Sequence, residues 1–212
     1  MKQTTDVTPR RGFFSRIAGM SAFGLFGIAA TTMRAQALES DGLDWPGTLK
    51  GRHKQVFDVS EMKEGSPFGF TNNFLTPNES ATAVMVFRHN GTAYALGSAI
   101  WAKYKIGETL RVLDPETKAP AVKHPWFQPK PGVLANPDAA LDRLIARGTV
   151  LGVCSVSLRS NARRMAANAG VTPEEAIKEW TANLIPGATV IPSGTWGVNR
   201  AQEAGCTYCA GG

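Results

Sequence analysis

Thr149-Val150-Leu151-Gly152-Val153-Cys154 is a short, almost unbroken apolar run, and the residues after it keep a regular rhythm. Such a run suits a strand buried on both faces. Ser160 to Ala169 then reads as a helix closed by Gly170. Thr172-Pro173-Glu174-Glu175 starts another helix: Thr172 is the N-cap, proline takes the first helical position, and Glu175 completes a capping box. That helix runs to about Leu184 and breaks at Pro186-Gly187. Ala188-Thr189-Val190-Ile191-Pro192 is the next strand and Thr195 to Ala204 the next helix, with Cys206-Thr207-Tyr208-Cys209 a short end strand. Strands that alternate with helices pair in parallel, and the helices cover the sheet. The expectation is a single α/β domain, doubly wound around a mostly parallel sheet.

Upstream the signals are more mixed. Leu38 to Gly51 is a polar lead-in, and His53-Lys54-Gln55-Val56-Phe57-Asp58-Val59 alternates as a strand does. A short helix is expected around Gly69–Leu75, with a turn at Pro77-Asn78-Glu79-Ser80. Ala83-Val84-Met85-Val86-Phe87 is a second buried-type strand, and Asn90-Gly91 turns the chain. Ala95, Ile100, Trp101 and Tyr104 have helical spacing within 94–104, and Gly107 is read as that helix's terminator. Residues 108–137 hold Pro115, Pro120, Pro125, Pro129, Pro131 and Pro137, which forbid helix interior and central strand alike. His124, Trp126 and Phe127 make this a long ordered loop rather than a linker, of the kind used for function or subunit contact. Asp138 is read as the cap of a helix through Ala146, ended by Gly148.

The formal charge is +6, but its placement matters more than its size. Residues 1–37 carry five bases (Lys2, Arg10, Arg11, Arg16, Arg34) and one acid, Asp6. The remainder has 18 bases and 16 acids, a net of +2, which offers no electrostatic footprint for nucleic acid. The paired Arg10 and Arg11 precede Gly12-Phe13-Phe14, a glycine-containing apolar run from Ile17 to about Thr31, and Ala35-Gln36-Ala37. This pattern is what the twin-arginine export system reads, with cleavage after Ala37. The run is about 15 residues long, short of the roughly 20 that cross a bilayer. The expectation is a signal peptide over 1–37 and a mature domain over 38–212 with a proline-rich insertion at about 108–137. The mature protein would then be periplasmic or secreted, meeting the membrane only during export, where disulfides can persist.

From Gly148 to Tyr208 the chain resembles the DsrE/DsrF-like family of small α/β sulfur-relay proteins. Three stretches carry the resemblance. Gly152-Val153-Cys154-Ser155-Val156-Ser157-Leu158 is similar to a strand delivering a cysteine to its carboxyl end before a helix. Asn183-Leu184-Ile185-Pro186-Gly187-Ala188-Thr189-Val190-Ile191-Pro192-Ser193-Gly194 resembles the family's helix end, Leu-Pro-Gly-type turn and following strand. Val198 to Tyr208 is similar to its closing helix and aromatic edge strand. Val84 to Gly91 resembles an earlier family strand that ends near a His-Gly pair, here interrupted by Asn90. The proline-rich insertion and Cys206-x-x-Cys209 depart from the family. The resemblance implies flavodoxin- or Rossmann-like layering, a homo-oligomer, sulfur carried as a persulfide on Cys154, and exchange with a sulfur- or thiol-carrying protein.

The residues themselves allow a narrower statement. Ligand crevices of parallel sheets lie outside the carboxyl ends of strands. A thiol placed there sits at the positive end of the following helix, which favours thiolate. Cys154 is therefore the candidate catalytic residue, with Arg159 and Arg163 near in sequence and His89 ending a strand on the same edge. Alternatively, Cys154 is a small hydrophobe in the core. Cys206 and Cys209 can form a redox pair or half of a metal site, or simply pack; residues three apart on a strand point to opposite faces, so pairing needs a turn. With His53, His89 or His124 they could complete a zinc shell. No nucleophile elbow or phosphate loop occurs, and Gly194-Thr195-Trp196-Gly197 falls short of a dinucleotide fingerprint, so no cofactor is expected. Three functional classes stay open: a sulfur relay through Cys154, a non-catalytic oligomeric binding module, and a metal-binding protein.

Overall fold

Five strands form one parallel sheet: β1 His53–Val59, β2 Ala81–Phe87, β3 Val150–Cys154, β4 Ala188–Ile191 and β5 Thr207–Ala210. Their order is β4-β3-β2-β1-β5. The chain lays the first four strands outward in sequence, then returns to place β5 on the far side of β1. The fold is thus α/β and doubly wound. The computed structural model describes residues 43–78 and 80–211, which belong to one compact unit. Arg10, Arg11, the expected cleavage point after Ala37, and Glu79 of the expected turn lie outside the described residues.

Side chains alternate between the two faces of the sheet, and both faces are buried. Phe57, Val59, Met85, Phe87, Leu151 and Val153 join the larger core. Over them lie α1 (Ser66–Leu75), α2 (Ser98–Lys103), α3 (Ile106–Leu110), α4 (Leu141–Ala146), α5 (Ser155–Met165) and α6 (Pro173–Ala182), each contributing buried side chains. Val56, Val84, Val86 and Ile191 face the other way, against Trp45, Leu49 and Ala201 of α7 (Gly194–Glu203). A Cβ on Gly152 would stand 2.6 Å from the Trp45 ring, so only glycine admits the indole there. Trp45 also donates its Nε1–H to the Leu151 carbonyl at 3.2 Å, tying the segment before β1 to the sheet. Among the described residues no helix is long and apolar enough to cross a membrane.

The capping box at Thr172 and Glu175 is present as the sequence indicates. Four readings differ from expectation, and in two of them a distant group captures a backbone donor or acceptor. The helix expected over 94–104 is instead a 3-10 stretch, His89–Ala95, followed by α2. Tyr94's carbonyl accepts from His124 Nε2 at 2.8 Å, Ala95's carbonyl accepts from Ile185 N–H, and Gly97 N–H donates to Asn183. Those groups are spent on neighbours and cannot continue a helix. Gly107 does not end a helix but lies inside α3, where a Cβ would stand 2.2 Å from the Ala121 carbonyl oxygen. Asp138 caps nothing: Asn136 accepts from the Asp138 N–H at 3.1 Å in a 3-10 turn, Pro137–Ala139. The helix starts only at Leu141, whose N–H is drawn to the Trp126 carbonyl at 2.8 Å. Finally, the helix expected from Ser160 begins at Ser155, directly after Cys154, and passes into a 3-10 turn at Ala166–Ala169.

Candidate functional site

Cys154 closes β3 and is itself the N-cap of α5. Its sulfur accepts the Ser157 N–H at 3.3 Å, a position usually held by a serine, threonine or aspartate oxygen. A thiolate accepts such a bond better than a thiol. The unsatisfied N–H groups of an eleven-residue helix add a positive potential at the same point. The residue is buried, with 4 % of its surface exposed.

The strand register brings a cation to it. Phe87 stands beside Val153, and Arg88 continues in extended backbone, so Arg88 and Cys154 follow as neighbours on the side shared by Val86 and Gly152. Arg88 holds Asp58 with two bonds, Nε to Oδ1 at 2.5 Å and Nη2 to Oδ2 at 2.8 Å. Asp58 is buried on β1, two residues before Ser60, and accepts a further bond from the Tyr208 hydroxyl at 3.1 Å. The Arg88 stem packs on Gly194, the first residue of α7, where a Cβ would meet it at 2.7 Å. Arg88 is held charged above the ordinary arginine value, chiefly by its bond to Asp58. Tyr208 and Cys154 add smaller pulls in the same direction. The Tyr208 phenol is raised by burial and by the Asp58 charge. The result is a thiol, a guanidinium, a carboxylate and a phenol gathered at the carboxyl edge of the sheet, where the strand order reverses around β1.

The other expected residues make no side-chain hydrogen bond to this group among the described residues. His89 is exposed, with its backbone at φ 44°, and lines an open cleft of about 410 Å³ with Glu61, Val156, Ser157, Asn161 and Arg164. Its carbonyl, not its ring, is fixed, by the Asn161 amide at 2.7 Å. Arg159 and Arg163 are exposed on α5, and the arginine set beside Cys154 is Arg88. Cys206 packs in the core of one face and Cys209 against the core of the other, as strand alternation requires, and all three cysteines are free. Burial pushes the Cys206 thiol up to about 11, so it stays protonated at neutral pH. His124 is buried with both ring nitrogens engaged, Nε2 to the Tyr94 carbonyl and Nδ1 to the Trp126 N–H at 3.1 Å, and its pKa falls to about 4 through desolvation. Among the described residues no group of three or more His, Cys, Asp or Glu side chains is placed to hold a metal ion.

Compared with family models, with curated proteins and with solved structures, the chain matches none. The site must therefore be read from its own chemistry. Sequence reasoning singled out Cys154 but missed Asp58, Arg88 and Tyr208. A signal for two of them was present: Asp58 is a carboxylate inside an apolar strand, and Arg88 follows at once on Ala83–Phe87, a run buried throughout. A buried acid wants a partner, and only the register shows which.

Proposed function

We propose that this protein is a DsrE-like sulfur carrier, exported through the twin-arginine route, that takes sulfane sulfur onto Cys154 as a persulfide. The observation that supports the reading is the Cys154 sulfur capping α5 beside Arg88. The Cys154 thiolate attacks the outer sulfur of a persulfide, R–S–SH; a new S–S bond forms on Cys154, the donor's S–S bond breaks, and R–S⁻ leaves. Transfer onward is the reverse step, with an acceptor thiolate attacking the outer sulfur and the Cys154 thiolate leaving. Arg88 and the α5 N–H groups stabilise the sulfur anion on either side of the exchange. With 4 % of the residue exposed, small carriers such as polysulfide reach the sulfur more easily than a protein donor does. Donor and acceptor are thiol-bearing molecules, the carrier acts as a homo-oligomer, and nucleic acid is no partner of a mature domain so near neutrality.

Treating the purified protein with polysulfide and reading the Cys154 peptide by mass spectrometry tests this. Added mass of one sulfur is expected on Cys154 and none in Cys154→Ser; no added sulfur on Cys154 ends the proposal. One observation favours the rival, a binding module whose cysteines only pack: the same low exposure of Cys154. Alkylation at neutral pH separates the two, since an inert Cys154 fits the module alone.

A further inference from the structure

The proline-rich insertion builds a second cleft, of about 340 Å³, which shares no residue with the Cys154 edge. This volume is at the lower end of the range for small-molecule sites. Its apolar wall includes Val112, Leu134 and Trp126. The Trp126 ring is fixed edge-on to Tyr94 at 5.2 Å and closes against Gly65, where a Cβ would stand 2.2 Å from the indole nitrogen. The charged residues of the lining are Glu64, Arg111, Asp114 and Lys118. Asp114 is already committed: its Oδ1 accepts the Glu116 and Thr117 N–H groups, both at 2.9 Å, and so shapes the turn beneath the Leu113–Pro120 bridge.

The other three are different. Glu64, Arg111 and Lys118 hold left-handed backbone, at φ 48°, 56° and 58°, half of the six non-glycine residues that do so among those described. Such backbone costs roughly 1 kcal/mol or more per residue and collects where a chain presents side chains to a ligand. No ion pair joins Glu64 to Arg111 or Lys118 among the described residues, although both signs line one cleft. Opposite charges kept apart across an apolar wall complement a molecule that carries both charges and an apolar body.

We propose that this cleft binds an apolar α-amino acid, its carboxylate at Arg111 and Lys118, its ammonium at Glu64 and its side chain against Trp126, Val112 and Leu134. The proposal is independent of the chemistry at Cys154. Isothermal titration of the purified protein with L-phenylalanine and L-leucine tests it. Saturable binding to one site is expected. Losing one charge-assisted bond should weaken it about tenfold or more, whether in Arg111→Asn, in Glu64→Asn, in N-acetyl-L-phenylalanine or in L-phenylalaninamide. Asparagine is chosen because it tolerates left-handed backbone, and unchanged thermal melts of both variants would show that the fold is kept. Absence of saturable binding for both amino acids overturns the proposal. So does equal affinity in wild type and in the two folded variants, or equal affinity for the acetylated ligand, which would make the cleft a plain anion site.

Discussion

Arg88 is the residue whose removal tells most about Cys154. It follows β2 where Cys154 ends the neighbouring β3, and Asp58 fixes its guanidinium with two bonds. A nearby cation favours negative charge on a sulfur. Arg88→Met should therefore slow sulfur loading of Cys154 from polysulfide, followed on the Cys154 peptide because Cys206 and Cys209 are free as well. Arg88→Lys keeps the charge without the two-pronged bond and should fall between. An unchanged loading rate in Arg88→Met would remove Arg88 from the mechanism. The methionine variant also leaves Asp58 buried without its partner, at a cost of about 2 kcal/mol after allowance for the part of Arg88 that meets water.

At the level of elements, Gly107 shows how a terminator signal can be a packing signal. It sits in the first turn of α3, where the chain returning through Ala121 passes against the helix backbone. A methyl group there meets carbonyl oxygen and amide nitrogen at 2.2 and 2.4 Å, neither of which is the movable end of a side chain. Gly107→Ala should destabilise the protein by about 2 kcal/mol, overpacking outweighing the better helix propensity of alanine. A urea midpoint equal to that of wild type would contradict this account of the insertion's docking. The same logic explains the short α2: its upstream carbonyls are taken by His124 and Ile185, so tertiary bonds override a helical pattern that was genuine.

For the whole molecule, the pH response should be set partly by His124. Its imidazole is neutral in the fold because desolvation outweighs its backbone bonds and the Asp142 charge, which lowers its pKa from 6.5 to about 4. The unfolded chain takes up that proton below about pH 6.5, the folded chain only near pH 4. The stability that neutral His124 contributes is therefore full above pH 6.5 and is lost as pH falls through this window, about 3 kcal/mol in all. Urea unfolding at pH 7 and pH 4.5 should show most of this loss. His124→Gln should lower stability at pH 7 and flatten the slope; a slope as steep as wild type would assign the effect to other groups. Because His124 anchors the proline-rich loop to Tyr94, acid should open the cleft beside Trp126 before it unfolds the sheet.

What the sequence determined by itself is local: the alternation of strands and helices, the capping box at Thr172 and Glu175, and a cysteine delivered by β3 to the start of a helix. These depend on periodicity and on hydrogen bonds within a few residues, which the order of residues specifies directly. Only the tertiary structure decided which groups surround that cysteine. Asp58 meets Arg88 across 30 residues of chain and Tyr208 across 150, through a strand order and register set by burial of both faces of the sheet. The same holds for the helix that breaks at Tyr94 and for Gly107. In each, a backbone group bonds or touches a partner distant in sequence, and no local pattern names that partner.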